Sequence, residues 1–358
     1  MRALAGGFAL AFTAGFNVSN VGAVADQVSS AYGVGLAVVG LFTTGLFVTH
    51  AGLQIPMGRL CDRIGARLVG TCGLVIVALA STAALGWKVA WFAIAMRTVA
   101  GVGTAAAFVG GSDYIRSTVG TPVAQGLFGA MSMVGGGLAL ALIPLWGTWY
   151  APFVSAAAVA AAGVLVIATA PREPERAPLE RVPVYDKRLL PLGAWHAASF
   201  GLSVVIGNWV VTLLHRAGGL SHQVAGAAGA LVLFLGVISR PAGGRWVDRL
   251  GIVRASLIVM AIGVAALAIA KPLPLVIVAA AVVGLAAGVP FAPAFAGASR
   301  LRPDAPAAAV GLVNMVAAVT ILVGTPLLGL SFSLPSDGRI GFLIVAALCG
   351  LTAITVRR

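Results

Sequence analysis

The chain has 358 residues, of which 60% are hydrophobic and only 9% charged. Soluble domains carry about 25% charged residues, so the composition excludes a water-soluble globule. The net charge of +13 is dispersed in short basic clusters between apolar runs, a layout set by membrane topology rather than by a nucleic-acid-binding face.

A bilayer core about 30 Å thick asks for about 20 apolar residues per helical crossing. Apolar length and turn residues place six crossings at 4–24, 34–56, 66–86, 89–111, 123–145 and 150–170. Six more follow at 190–213, 222–240, 252–270, 273–295, 307–328 and 340–356. The expected fold is an all-α membrane protein of twelve transmembrane helices. Near the start, Ala23-Val24-Ala25 after an apolar stretch imitates a secretory leader with its cleavage site. The expectation is that this stretch stays as span one, because its removal would leave span seven without a counterpart in the repeat described below.

Between the two sets, 171–189 carries nine charged residues and four prolines. It is too polar to cross a bilayer and too proline-rich for a long helix. It reads as a linker joining halves 1–170 and 190–358. With the N-terminus inside, 18 of the 23 basic residues fall in segments on one side, among them Arg2, Arg59, Arg116, Arg240, Arg245, Arg254, Arg300, Arg302, Arg357 and Arg358. Lys88, Arg216, Lys271 and Arg339 face the other side. Lysine and arginine excess marks the cytoplasmic side, so both termini are expected in the cytoplasm of a cell bounded by a bacterial-type inner membrane. Cys61, Cys72 and Cys349 are scattered and have neither metal spacing nor a disulfide framework; they read as packing residues.

A duplication organises the chain. Gly58-Arg59-Leu60-Cys61-Asp62-Arg63-Ile64-Gly65 follows span two, and Gly244-Arg245-Trp246-Val247-Asp248-Arg249-Leu250-Gly251 follows span eight, 186 residues later. Five of the eight positions are identical, and a proline, Pro56 or Pro241, precedes each copy. The glycines permit a tight turn and close helix approach. Asp62 and Asp248 are expected near the start of the following helix, where a carboxylate caps free N–H groups. Arg63, Arg67 and Arg249 provide ion-pair partners that form in one conformation and break in another. Gly58, Gly65, Gly244 and Gly251 complete the expected conformational gate.

The two copies resemble the loop signature of the major facilitator superfamily, and Arg97-Thr98-Val99-Ala100-Gly101-Val102-Gly103 resembles that family's span-four motif. The resemblance implies two pseudo-symmetric six-helix bundles that rock about a central site. It also implies Asp62 and Asp248 in latches on the cytoplasmic side, with Arg116 as a partner of the first. In span five, Gly135-Gly136-Gly137 lacks the Gly-Pro of the drug-antiporter motif. Ser239-Arg240-Pro241-Ala242-Gly243-Gly244 is similar to the span-eight exit of the nitrate/nitrite porter branch. That branch carries arginines within spans two and eight. Here span two offers His50, and Val224 to Ser239 holds no basic residue, so nitrate itself is not the expected substrate.

Among side chains that meet a solute, Arg97 stands out, about eight residues inside span four. Arginine at such depth costs about 2.5–3.5 kcal/mol and faces a cavity or a partner. Its two readings are an anion-binding charge and a pin to a neighbouring helix's carbonyls. His50 and His196 titrate near neutral pH or serve as hydrogen-bonded packing groups. Asn17 and Asn20 in span one, Asn208 in span seven and Asn314 in span eleven either bind solute or join helices. No carboxylate is expected within a span: Asp26, Asp113, Asp304 and Asp337 fall at span ends.

The expected activity is secondary carriage of a small solute, with an anion favoured by Arg97. The alternatives are efflux of drug-like hydrophobic compounds and, in another class, a non-transporting sensor or scaffold. No phosphate-binding G-x-x-x-x-G-K-[ST] loop occurs, and no nucleophile–base constellation points to an enzyme. The partners expected are a small-molecule substrate, a coupling ion and membrane lipids, with no nucleic acid and no cofactor, for a chain that acts as a monomer.

Overall fold

A computed structural model describes residues 1–174 and 183–356. Arg176, Pro178 and Arg181 of the linker, with Arg357 and Arg358, lie outside the described residues. Among the described residues there is no strand, and ten helices are long and apolar enough to cross a membrane. A bent pair, Val38–Gly52 with Gln54–Ile64, makes an eleventh crossing, and the shorter Arg339–Ile354 makes a twelfth.

Span one is Arg2–Ser19, prolonged by a turn at Gly22–Val24, and the short helix Ala25–Tyr32 connects it to span two. Span two is Leu36–Gly52 and Gln54–Ile64, span three Ala66–Ala83, span four Ala90–Thr118, span five Pro122–Trp146 and span six Ala151–Ala168. Span seven runs over Leu189–Arg216. Span eight is His222–Phe234 and Gly236–Arg245, and span nine is Leu250–Ile269. Span ten is Leu273–Gly288 and Phe291–Leu301, span eleven Pro306–Leu330 and span twelve Arg339–Ile354. They form two pseudo-symmetric six-helix bundles.

The exposed surface of these helices is apolar. Leu79, Leu165, Ile262, Ile269 and Leu351 are each at least half exposed. Surfaces of that kind drive aggregation in water and are stable in lipid, where helices carry their own backbone hydrogen bonds.

Proline explains the principal break. Pro56 lacks an N–H and its ring collides with the carbonyl four residues back, at Gly52. Span two accordingly bends by 49° where Gly52 gives way to Gln54. Span ten is interrupted at Val289 and Pro290, next to Pro293, without a comparable bend. In span seven a π-helical stretch, Ala197–Leu202, interrupts the regular winding immediately after His196, a distortion common at functional positions.

The first motif copy lies within the helix Gln54–Ile64 rather than in a loop. Gly65 closes it with φ +95°, a conformation that favours glycine. Asp62 is therefore in the last turn of span two, and it makes no side-chain cap on span three. That task falls to Glu173 of the linker, whose carboxylate accepts from the Arg67 backbone N–H at 3.0 Å. The second copy starts on the span-eight helix, turns at Trp246–Asp248 and ends with Gly251 inside span nine. Here too Asp248 caps no helix.

Both ends of the linker are fastened. At its start Tyr114 Oη donates to Pro171 O at 2.6 Å and the Arg67 backbone N–H donates to Glu173. At the other end Arg302 donates to Val184 O at 3.0 Å, and Val184 is buried. Nearby, hydrogen bonds from Arg188 hold the half-buried Asp186 carboxyl down at about 2, so it stays ionised at neutral pH.

Candidate functional site between the two halves

The side of the molecule that bears both motif copies is closed by backbone contact. A Cβ on Gly58 would lie 2.6 Å from Ala308 Cα, and one on Gly311 would lie 2.5 Å from Gln54 O. Gly244 meets Pro122 in the same manner, at 2.5 Å from Pro122 O. Spans two and eleven, and spans five and eight, thus touch along small residues, as closely approaching membrane helices do.

Above this seal lies a cavity of about 20 Å³ between spans one, five, seven and eight. It is lined by Ser19, Ser132, Met133, Phe200 and Asn208 among others. Such a space holds about one water and admits no solute until the halves move. A larger space of about 250 Å³ beside Asp248 and Arg300 is lined wholly by the second half, so it is not on a path between the bundles.

Beneath the cavity floor lies the most charged position of the interface. Arg240 is 1% exposed, inside the helix Gly236–Arg245. The expectation that it belongs to a solvent-facing segment, and that the interior of span eight has no basic residue, is corrected here: the helix continues five residues past it. Its Nη1 donates to Gly129 O of span five at 2.6 Å, and its guanidinium carbon lies 4.4 Å from the Phe291 ring and 5.5 Å from Phe200. Its Nε is buried without an acceptor. A guanidinium has five N–H donors, and among the described residues no carboxylate pairs with this one.

His196 shares the same two rings, at 5.5 Å from Phe200 and 5.3 Å from Phe291, and lies 4.7 Å from Phe295. Phe108 of span four stacks on Phe200 at 5.9 Å. His196 Nε2 meets Asn314 Oδ1 at 2.9 Å. Asn314 Nδ2 donates to Gln54 Oε1 at 2.7 Å, across the halves, and Gln54 Nε2 donates to His50 O at 2.8 Å. His50 Nδ1 meets Thr104 Oγ1 at 3.0 Å. Five buried side chains from spans two, four, seven and eleven form this chain, beside an arginine with donors to spare.

Arg97 is 3% exposed and occupied elsewhere. Its Nη2 donates to Asn17 O at 2.6 Å, its Nη1 to Asn17 Oδ1 at 3.4 Å and its Nε to Phe42 O at 3.3 Å. Asn17 Nδ2 donates to Thr13 O, and Asn20 Nδ2 donates to Pro152 O of span six. Asn208 lines the cavity, with its Nδ2 buried and unpartnered. Sequence reasoning brought together His50, His196 and Asn314 by type alone; it missed Gln54, Arg240 and the phenylalanines. The available signal for Arg240 was its place on an apolar stretch leading into the small residues Ala242-Gly243-Gly244.

At the motif-bearing surface, Asp248 accepts from Arg300 Nη1 at 2.7 Å. Arg116, at the corresponding place in the first half, pairs with Asp113 at 2.6 Å. Asp113 is buried within the span-four helix, which corrects its assignment to a span end: that helix runs to Thr118, seven residues past the boundary expected at 111.

The Major Facilitator Superfamily description matches residues 7–252. The chain belongs to this superfamily. Among solved structures, the human organic anion transporter MFSD10 (TETRAN) aligns with a TM-score of 0.77 at 17% identity, over 99% of this chain and 98% of that one. At that identity the likeness concerns the fold. Curated proteins return no match, and the nitrate/nitrite branch gains no support from either comparison. As a major facilitator protein the chain is a transmembrane transporter and not an enzyme.

Proposed function

We propose that this protein is a secondary carrier of a small anion, working by alternating access, with Arg240 as the charge that receives the solute. The observation that carries the reading is a fully buried arginine at the contact of the two bundles, holding one hydrogen bond and, among the described residues, no carboxylate. An uncompensated cation is costly in a membrane interior; aromatic faces offset part of that cost, by about 2 kcal/mol when desolvated. A solute anion supplies the remaining partner. MFSD10, which shares the fold, is itself an organic anion transporter.

The halves are 1–170 and 190–358, joined by 171–189, and both termini face the cytoplasm of a chain acting as a monomer. Asp62, with its neighbours Arg63 and Arg67, and the Asp248–Arg300 pair belong to the latches. Arg97 is a second candidate charge, held by Asn17, with Asn20 on the same span fastened to Pro152 O: solute would have to displace Asn17 to reach it. His50, His196, Asn208 and Asn314 complete the proposed site. Efflux of lipophilic compounds is the competing reading, favoured by the largely apolar cavity lining.

A thermal-shift screen of purified protein against nitrate, lactate, benzenesulfonate and lipophilic cations separates these readings, because a ligand of the native state raises its apparent stability. Stabilisation by an anion in wild type but not in Arg240→Ala is the expected result. Stabilisation by lipophilic cations, indifferent to Arg240, would establish efflux instead.

A further inference from the structure

The donors in the chain at the interface can be assigned in order. The carbonyl of His50 only accepts, so the Gln54 atom facing it is the amide nitrogen and Gln54 Oε1 is the acceptor presented to span eleven. Asn314 must then turn its nitrogen to Gln54 and its oxygen to His196. His196 therefore carries its proton on Nε2, and Nδ1 is left with a lone pair. Nδ1 is buried and has no partner. It lies on the two phenylalanine rings that also carry Arg240, whose Nε is the other unpartnered buried atom there.

We propose that His196 Nδ1 is the binding site of a co-transported proton, so that the carrier moves its anion together with H⁺. This rests on the reading of Arg240 as the solute charge. With the site empty, an imidazolium there would be a fully buried charge beside Arg240 with no counter-ion among the described residues. An anion seated on Arg240 neutralises that charge and offers an oxygen to an Nδ1–H. Anion and proton then each raise the affinity for the other, as linkage requires, and together they leave the net charge of the site as it was when empty. The proton comes from water on one side, adds to the Nδ1 lone pair and returns to water on the other. No other bond forms or breaks.

The surroundings of His196 leave this role to it. Arg240 is the charged side chain that shares the Phe200 and Phe291 rings with it. Span two brings His50, held beyond Gln54 and Asn314, and, at its motif-bearing end, Arg59, Cys61, Asp62 and Arg63. Span eleven has no titratable side chain. Span ten brings Arg300, taken by Asp248 at the surface; span four brings Arg97, held by Asn17 and Phe42, Tyr114 on Pro171 O, and the pair Asp113–Arg116. Span twelve brings buried Cys349 and, at its far end, Arg339 on Ala217 O. On span seven itself, His215 and Arg216 lie at the opposite end of the helix.

The test uses full-length protein in liposomes loaded with a pH-sensitive dye, with nitrate, lactate and benzenesulfonate as probes. Benzenesulfonate is included because it stays ionised and does not cross bilayers as the free acid. Wild type is expected to move about one proton per anion. In His196→Gln, whose amide still donates to Asn314, that ratio falls at least tenfold for whatever anion moves. An unchanged ratio in the variant, or anion movement without protons in wild type, overturns the proposal and leaves the anion reading standing. If no probe moves, the anion reading itself fails. Should the variant misfold, calorimetry of probe binding to wild type in two buffers of different ionisation heat decides the matter: proton uptake on binding is expected, and none would overturn the coupling.

Discussion

Arg97 and Arg240 are both buried, and they differ in how well they are satisfied. Arg97 donates to three acceptors on spans one and two, Arg240 to a single carbonyl. Removal of Arg97 strands those acceptors, each net hydrogen bond to a charged group being worth about 1.5–3 kcal/mol. Arg97→Ala is therefore expected to lower the melting temperature of the solute-free protein. Arg240→Ala loses one such bond and relieves an uncompensated charge, so its apo stability should change little. Its affinity for the stabilising anion should fall at least tenfold, about 1.4 kcal/mol. Melting curves of the two variants, with and without that anion, check both outcomes; reversal of the pattern would make Arg97 the solute charge. The depth of Arg97 was legible from its apolar surroundings. Its partners were not, because Phe42 O and Asn17 O come from helices that only the fold brings together. Arg240 was misplaced because the helix carrying it runs on to Arg245.

Elements carry the closure. The duplicated G-R-x-x-D-R-x-G was readable as a repeated gate, yet its backbone was not: spacing alone does not show that the first copy is helical up to Gly65 or that Glu173 supplies the cap. The seal itself rests on glycines. Gly58 and Gly311 let spans two and eleven meet at backbone distance, with Asn314→Gln54 as the side-chain bond beside them. Such bonds in membranes average about 0.6 kcal/mol, so packing must supply most of the closure. Gly58→Val should hold the motif-bearing side open. Cys61 reports this directly: it is buried on the same helix, while Cys72 is exposed. In a Cys72→Ser background, maleimide labelling of Cys61 is expected to accelerate at least tenfold in Gly58→Val and less than threefold in Asn314→Ala. Equal rates in both would mean that the hydrogen bond, not the glycine contact, sets the seal.

At the scale of the whole molecule, the twelve crossings and the twofold layout were accessible because lipid imposes one rule on every helix: each must be apolar over the full core thickness. The interface between the bundles was less accessible, since apart from buried polar residues such as Gln54, His196, Arg240 and Asn314 it is apolar or small like the surface facing lipid. The linker bears on how independent the bundles are. Its start is held by Tyr114 and Arg67 of the first half, and its end by Arg302 of the second. Neither anchor reaches across to the other half, so the fastened linker ends do not themselves join the bundles. Segments 1–174 and 183–358 expressed together should therefore co-purify, driven by the glycine contacts and the phenylalanines around His196, and should retain anion-dependent stabilisation. Addition of Gly58→Val to the first segment should weaken their association, since it enlarges one of the backbone contacts between them. Segments that insert in the membrane but do not associate would show that the linker, not the interface, holds the halves together, and would move the domain boundary away from 171–189.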